Sequence, residues 1–350
     1  MYQPKMAFAK AATCNNVAES SLPWTERYRA RKVTDVRGQA SMQALAAGVL
    51  KRNGALPNLI LHGPSGTGKT SSILALCRDL FGPDPDVLGE RVLFLNASAD
   101  NGIQVVRDKI KPFAARSVGM GAPGYPSPPI KVVVLDEADC LTPDAQASLR
   151  RLIENTSANT RFCFVCNFVS KIIAPIASRC HKYYFTPVPD EDVLQRLTEI
   201  AAAEDITAGL ESLPDVVKYA QGDLRKAINV LQTCRTESCL DRNVFLDITG
   251  AVSATEVNTL VHEAADDVLA AAQHIETMIS RGGHPVQIVE EILRLLMEPG
   301  PNDSISVDVA VDAAAVEAVK AVAKQAMALT RPCDEVIAVL AAALAAAPVV

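Results

Sequence analysis

The rhythm of hydrophobic residues changes once along this chain. From Asn58 to Phe185, short runs of β-branched and apolar residues alternate with amphipathic stretches. Leu59–His62, Val92–Leu95, Lys131–Leu135, Phe162–Cys166 and Lys182–Phe185 predict strands, and Ser71–Leu80, Ile103–Phe113 and Asp144–Asn155 predict helices. Strands that are apolar throughout, separated by helices, predict a parallel sheet covered on both faces. The Gly-, Pro- and Ser-rich stretch from Pro112 to Pro129 predicts an exposed loop. Beyond the stiff connector Thr186-Pro-Val-Pro189 only helical patterns remain: Asp190–Glu204, Leu213–Ala220, Asp223–Cys234, Asn243–Thr249, and longer helices from Ala254 onward. Arg281-Gly-Gly-His-Pro285 and Glu298-Pro-Gly-Pro-Asn302 punctuate that last part. The expected division is a loose tail over residues 1–20, an α/β domain over 21–187, a small helical domain over 188–249 and a third, all-helical domain over 250–350.

Composition supports several domains and excludes two classes of protein. At 350 residues the chain exceeds what one compact core usually holds, and 49% hydrophobic residues exclude global disorder. No apolar run reaches the roughly 18 residues of a membrane span, and residues 1–20 contain no signal-peptide core. A soluble intracellular protein with no membrane partner is expected. Nine cysteines at irregular spacing predict no disulfide framework. Cys163 and Cys166 sit three apart on a predicted strand, so their thiols face opposite sides and are expected in core packing rather than on a metal.

The net charge of −6 hides an asymmetry. Residues 1–186 carry 23 Lys and Arg against 14 Asp and Glu, whereas residues 187–350 carry 11 against 26. A basic half with a nucleic-acid partner and simple drift of solvated charge both account for this.

Two motifs bring chemistry. Gly63-Pro-Ser-Gly-Thr-Gly-Lys69-Thr70 fits the phosphate-binding pattern G-x-x-x-x-G-K-[ST], between a predicted strand and a predicted helix as the pattern requires. Its glycines let backbone N–H groups wrap a phosphate at a helix N-terminus. Lys69 is expected to reach the β- and γ-phosphates, and Thr70 to offer its hydroxyl to Mg²⁺. The second motif, Val132-Val-Val-Leu-Asp136-Glu137-Ala-Asp139, ends a buried strand in carboxylates, an expensive arrangement unless a cation or chemistry uses them. Asp136 is expected to hold Mg²⁺ through water, and Glu137 to orient and deprotonate an attacking water.

With these motifs in place, the chain resembles the AAA+ ATPases and, more narrowly, the small subunits of replication factor C, the eukaryotic sliding-clamp loader. The resemblance is dense from residue 21 to about 235. It is carried by Pro23-Trp-Thr-Glu-Arg-Tyr28-Arg29, Val36-Arg-Gly-Gln39, Asn96-Ala-Ser98, Ile103-Gln-Val-Val-Arg107, Asp136-Glu-Ala-Asp139, Ala145-Gln-Ala-Ser-Leu-Arg150-Arg151, Ser178-Arg179-Cys180 and Gly222-Asp-Leu-Arg225-Lys226-Ala227.

The resemblance implies an AAA+ domain over 21–187, a helical lid over 188–249 and a collar over 250–350. It implies ATP and Mg²⁺ as ligands, with ATP held by Tyr28, Arg29, Val36, Gln39, Gly63, Pro64, Ser65, Gly66, Thr67, Gly68, Lys69, Thr70, Ser71, Asn167 and Arg225. Asn167 matches the first sensor position. Arg225 matches the second, where helix periodicity alone leaves an ordinary solvated charge equally open. Arg179 matches an arginine finger that enters the neighbouring subunit's site. Arg107 and Lys111, four apart on one helix face, are implied to meet the DNA backbone; without the resemblance they read as solvated charge. Helix Asp144–Asn155 is implied to face the clamp.

The resemblance further implies a hetero-pentamer with other replication factor C subunits, with the clamp PCNA, primer–template DNA and a nuclear location. A homo-hexameric helicase-type motor and a non-hydrolysing scaffold subunit are the alternatives. Departures from the family pattern are Ser65 in place of proline, Ala30-Arg31 in place of Pro-Lys, and Ala99-Asp100-Asn101 in place of a more charged stretch.

Overall fold

The computed structural model describes residues 22–292, apart from 52–54, 100, 120, 207, 237–238, 241–244, 246–253, 267, 281–284, 286–287 and 290. The tail expected over residues 1–20, the helix expected over Asn243–Thr249 except Phe245, and everything past Ile292 lie outside the described residues. The described chain forms two compact units, divided between Gln232 and Thr233.

The first unit is built on a five-stranded parallel sheet: β1 (Leu59–His62), β2 (Val92–Asn96), β3 (Lys131–Asp136), β4 (Thr160–Cys166) and β5 (His181–Tyr184), in the order β2-β3-β4-β1-β5. Helices α1 (Ala40–Lys51), α2 (Lys69–Phe81), α3 (Pro85–Arg91) and α4 (Pro143–Asn155) connect and cover it. Alternation along each strand splits the core into two layers. Leu59, Leu61, Val132, Val134, Cys163 and Val165 pack with α1 and α2 on one face. Ile60, Val133, Leu135, Phe162, Phe164 and Cys166 pack with α4 on the other. The two thiols of Cys163 and Cys166 therefore point to opposite faces, and burial pushes both above the ordinary thiol range.

Register brings the carboxyl ends of the strands level. His62 pairs with Cys166 and with Tyr184, and Asn96 pairs with Asp136. The segments leaving these strand ends gather at one edge of the sheet, where open α/β sheets bind ligands.

Three expectations need correction. The fifth strand is only partly covered: Tyr183 is half-buried against the core, whereas His181, Lys182 and Tyr184 are exposed at this edge of the sheet, where charged and polar groups stay solvated. The helix expected over Ile103–Phe113 runs on through Ala115, which shortens the expected loop, and its middle, Val106–Ile110, is π-helical. Pro112 gives the physical reason, since it offers no N–H to the carbonyl four residues back and its ring crowds that carbonyl. The part beyond Pro189 is not purely helical either, because Arg235–Thr236 and Cys239–Leu240 form a short antiparallel pair.

Helices α5 (Asp190–Ala203), α6 (Leu213–Ala220) and α7 (Leu224–Cys234) come after the sheet in the chain. In the second unit α8 (Ala254–Asp266) and α9 (Val268–Ser280) pack together through Val257, Leu260, Val261, Ala271 and Ile275, and His274 Nδ1 lies 2.7 Å from Glu263 Oε2. No helix among the described residues is long and apolar enough to cross a membrane.

Candidate active site

The turn between β1 and α2 calls for glycine at two places. Gly63 has φ +146°, and a Cβ there would stand 2.2 Å from the Phe185 carbonyl oxygen. Gly66 has φ +65°, and a Cβ would stand 1.7 Å from Asp223 Oδ1. The loop therefore threads between the end of β5 and the start of α7: backbone leaves room only for hydrogen at Gly63, and at Gly66 the left-handed conformation favours glycine beside the Asp223 carboxylate. Lys69 opens α2 and is almost wholly buried. Its Nζ donates to the carbonyls of Gly63 at 2.8 Å and Pro64 at 2.5 Å, so the ammonium lies inside the curl of the loop. Burial lowers its pKa from the ordinary lysine value, with Asp136 opposing that shift.

Thr70 stands beside the end of β3. Its hydroxyl lies 3.0 Å from Asp136 Oδ2 and 3.2 Å from Oδ1, and donates to that carboxylate. Burial raises the Asp136 pKa, while the bonds from Thr70 and from the Glu137 N–H at 3.1 Å pull it back. Glu137 turns the chain with φ +52°, a left-handed conformation that a non-glycine residue adopts at a cost. This turn keeps Glu137 exposed, and Asn96 Nδ2, at the end of β2, donates to its Oε1 at 3.3 Å.

Gly66, Lys69, Thr70, Asp136 and Glu137 line one cavity of about 300 Å³. Its wall includes Ser65 through Ser71, Asp136, Glu137, Asp139, Cys140 and Asn167. The segment before the sheet contributes Tyr28, Arg29 and Val36, and α7 contributes Leu224, Arg225 and Ile228. Arg29 Nε donates to Ser71 Oγ at 3.1 Å. Four expected ATP-contact and catalytic residues lie outside this wall. Gly63 and Pro64 face Lys69 through their carbonyls, Gln39 is buried with Nε2 donating to the Thr186 carbonyl at 2.8 Å, and Arg179 is exposed elsewhere. Arg107 and Lys111 are exposed on the helix that holds the π-turn.

Helices α5 to α7 are tied to both sides of the cavity. The Asp223 carboxylate caps α7, accepting from the Lys226 N–H at 2.9 Å, and accepts from Ser65 Oγ at 3.0 Å. Arg27 Nη1 and the Tyr28 hydroxyl both donate to Glu204 Oε1, at 2.6 and 2.5 Å, just past the end of α5. Arg196 Nη2 donates to the Tyr28 carbonyl at 2.8 Å, and Arg37 Nη2 meets Glu199 Oε1 at 2.7 Å. Burial, then the bond to Glu204 and its charge, push the Tyr28 pKa up to about 12. Asn96, Asp223 and Glu204 make contacts around the cavity residues that sequence reasoning missed. An aspartate just before Leu224 is a readable cap signal, whereas nothing near Glu204 marks it.

The arrangement fits a nucleoside triphosphate with a hard cation. A lysine curled into a glycine turn at a helix start suits phosphate. Among the described residues no cluster of three or more His, Cys, Asp or Glu side chains could hold a metal by itself. Thr70 and Asp136, 3.0 Å apart, are oxygen donors of the kind that would suit Mg²⁺, which usually takes only one or two protein oxygens beside phosphates and water.

A parallel sheet with a glycine-lysine turn at its carboxyl edge, carboxylates on the neighbouring strand end and helices tied over the cavity define an AAA-type P-loop ATPase. The family of ATPases associated with various cellular activities (AAA) matches residues 59–188. The chain is 40% identical to replication factor C subunit 4 of Homo sapiens over 85% of its length and 83% of that protein's. It is 39% identical to subunit 4 of Arabidopsis thaliana, over 81% and 84%, and 37% identical to the replication factor C small subunit of Archaeoglobus fulgidus, over 81% and 87%. The chain belongs to the replication factor C small subunits, AAA+ ATPases of the clamp loader. Its fold is also similar to the RuvB Holliday junction branch migration motor of Thermotoga maritima, at 13% identity and a TM-score of 0.52, over 71% of this chain and 85% of that one.

Proposed function

We propose that this chain is an ATP-hydrolysing subunit of a hetero-pentameric nuclear clamp loader that places PCNA on primer–template DNA. The observation that carries this is the convergence of Lys69, Thr70, Asp136, Glu137, Asn167 and Arg225 on one cavity. Lys69 neutralises the β- and γ-phosphates, and Thr70 with Asp136 would hold Mg²⁺, which would supply positive charge against the phosphates. Glu137, exposed and steadied by Asn96, takes the proton of the attacking water. Asn167 and Arg225 contact the γ-phosphate. Arg179 serves the next subunit's site, and Arg107 with Lys111 meets DNA phosphates.

In this reading residues 21–187 bind nucleotide, 188–249 act as lid and 250–350 assemble the collar. ATP binding favours the arrangement that grips open clamp and DNA, and hydrolysis releases it. The likeness to the subunit called four in human numbering agrees with a complex of unlike partners. Affinity purification of the full chain with identification of copurifying chains tests this. Four different partner subunits are expected, and a homo-hexamer would overturn the assignment.

A further inference from the structure

Arg179 is held by this chain itself. It comes just after the short helix Ala174–Ala177, and its Nη1 donates to the Pro175 carbonyl at 2.8 Å. Its Nη2 meets Glu154 Oε1, in the last turn of α4, at 2.7 Å. The same oxygen lies 3.4 Å from Arg150 Nε.

The Arg179 and Glu154 side chains are each 39% exposed. An ion pair this exposed adds little to folding stability, so its worth to the chain lies in where it puts the guanidinium. Of the five N–H donors of arginine, Pro175 takes one on Nη1 and Glu154 one on Nη2. Nε–H and one N–H on each terminal nitrogen stay available. Both contacts can therefore persist while the fork meets a phosphate. Two tethers on different elements, one in the arginine's own turn and one on α4, restrict both the position and the tilt of the plane. A side chain already ordered loses less freedom on meeting its target.

We propose that Glu154 is a positioning residue for Arg179, holding the guanidinium ready for the triphosphate bound by a neighbouring subunit. The inference rests on the reading of Arg179 as a finger acting in trans. Glu154 touches no nucleotide of its own chain, since it lies outside the cavity wall.

The test uses the assembled complex in which only the neighbour's ATP site can hydrolyse, with Glu154→Ala, Glu154→Gln, Arg179→Ala and the Glu154→Ala/Arg179→Ala pair. Glu154→Ala should lower the neighbour's kcat by about 10-fold, as loss of alignment does, with KM little changed. Glu154→Gln keeps an acceptor oxygen and should restore most of that loss. In the Arg179→Ala background Glu154→Ala should add nothing, because its only route is through the arginine. If Glu154→Ala leaves kcat unchanged or raises it while Arg179→Ala lowers it, the positioning role is wrong and the finger stands. An equal loss from Glu154→Ala with and without Arg179 also overturns the role. No effect of Arg179→Ala overturns the finger and this inference together.

Discussion

Asn96 Nδ2 donates to Glu137 Oε1 at 3.3 Å, so the end of β2 holds the carboxylate that comes after β3. The contact exists because Asn96 and Asp136 are register partners and the left-handed turn at Glu137 folds the next side chain back toward the neighbouring strand. Asn96→Asp replaces this donor with a like charge, which repels the Glu137 carboxylate from its position. Turnover at this site should fall by about 10-fold with nucleotide affinity little changed. Unchanged turnover at this site in the assembled complex would mean that the contact does not serve catalysis.

Lys69→Ala should weaken ATP binding about 30-fold or more, the low end of what removing a buried charge partner costs. Glu137→Gln should keep binding and slow turnover, trapping the clamp-bound loader. Equilibrium nucleotide binding and single-site turnover tell the two apart, and equal loss of binding in both variants would contradict these roles.

Replacing Arg107 and Lys111 with Ala should lower primer–template affinity and flatten its salt dependence. Each lost duplex phosphate contact reduces the log–log slope by about 0.9. Both residues are exposed, so the fold should survive. Titration at several salt concentrations measures the slope directly.

Arg179→Ala should reduce hydrolysis at the neighbour's site on the order of 10³-fold, by the precedent of other trans-acting arginines, and spare this chain's own nucleotide binding. Arg179→Lys should rescue poorly, since an ammonium cannot reproduce the planar fork that Pro175 and Glu154 hold. Turnover measured with one competent site at a time distinguishes action in trans from action in cis.

Asp223→Ala removes a helix cap and the bond to Ser65 together, and should cost about 1 kcal/mol of stability. Ser65→Ala removes only the bond to the loop and should leave thermal stability nearly unchanged. Denaturation of the two variants side by side resolves the cap from the loop contact, and equal destabilisation would mean that the loop contact dominates.

Much of this molecule was readable along the chain. Strands buried on both faces announce themselves as continuous apolar runs, and β1, β3 and β4 lie within a few residues of where those runs predict them. The glycine turn with Lys69 and the carboxylates after β3 are local patterns, because the backbone conformations they require depend on a handful of adjacent residues. The exposure of β5 was not readable: both β2 and β5 are edge strands, yet only β2 is covered, and which edge is covered depends on the order of pairing and on the segments packed against it. The π-turn escaped the periodicity of Ile103–Phe113, although Pro112 was in view, because apolar spacing tolerates one widened turn.

Contacts that join distant segments became visible only in the folded chain. Glu204 accepts from Arg27 and Tyr28 across more than 170 residues, Asp223 reaches Ser65 across 158, and Glu154 holds Arg179 from another element. Glu204 and Glu154 carry no local signature, since a carboxylate at a helix end looks solvated until folding brings its partner near, and the cap signal of Asp223 says nothing of Ser65. Residue order alone specified which groups could do the chemistry, because residue type and backbone permission are local properties. Their alignment came from packing, because orientation is set by neighbours that lie close in space and far along the chain.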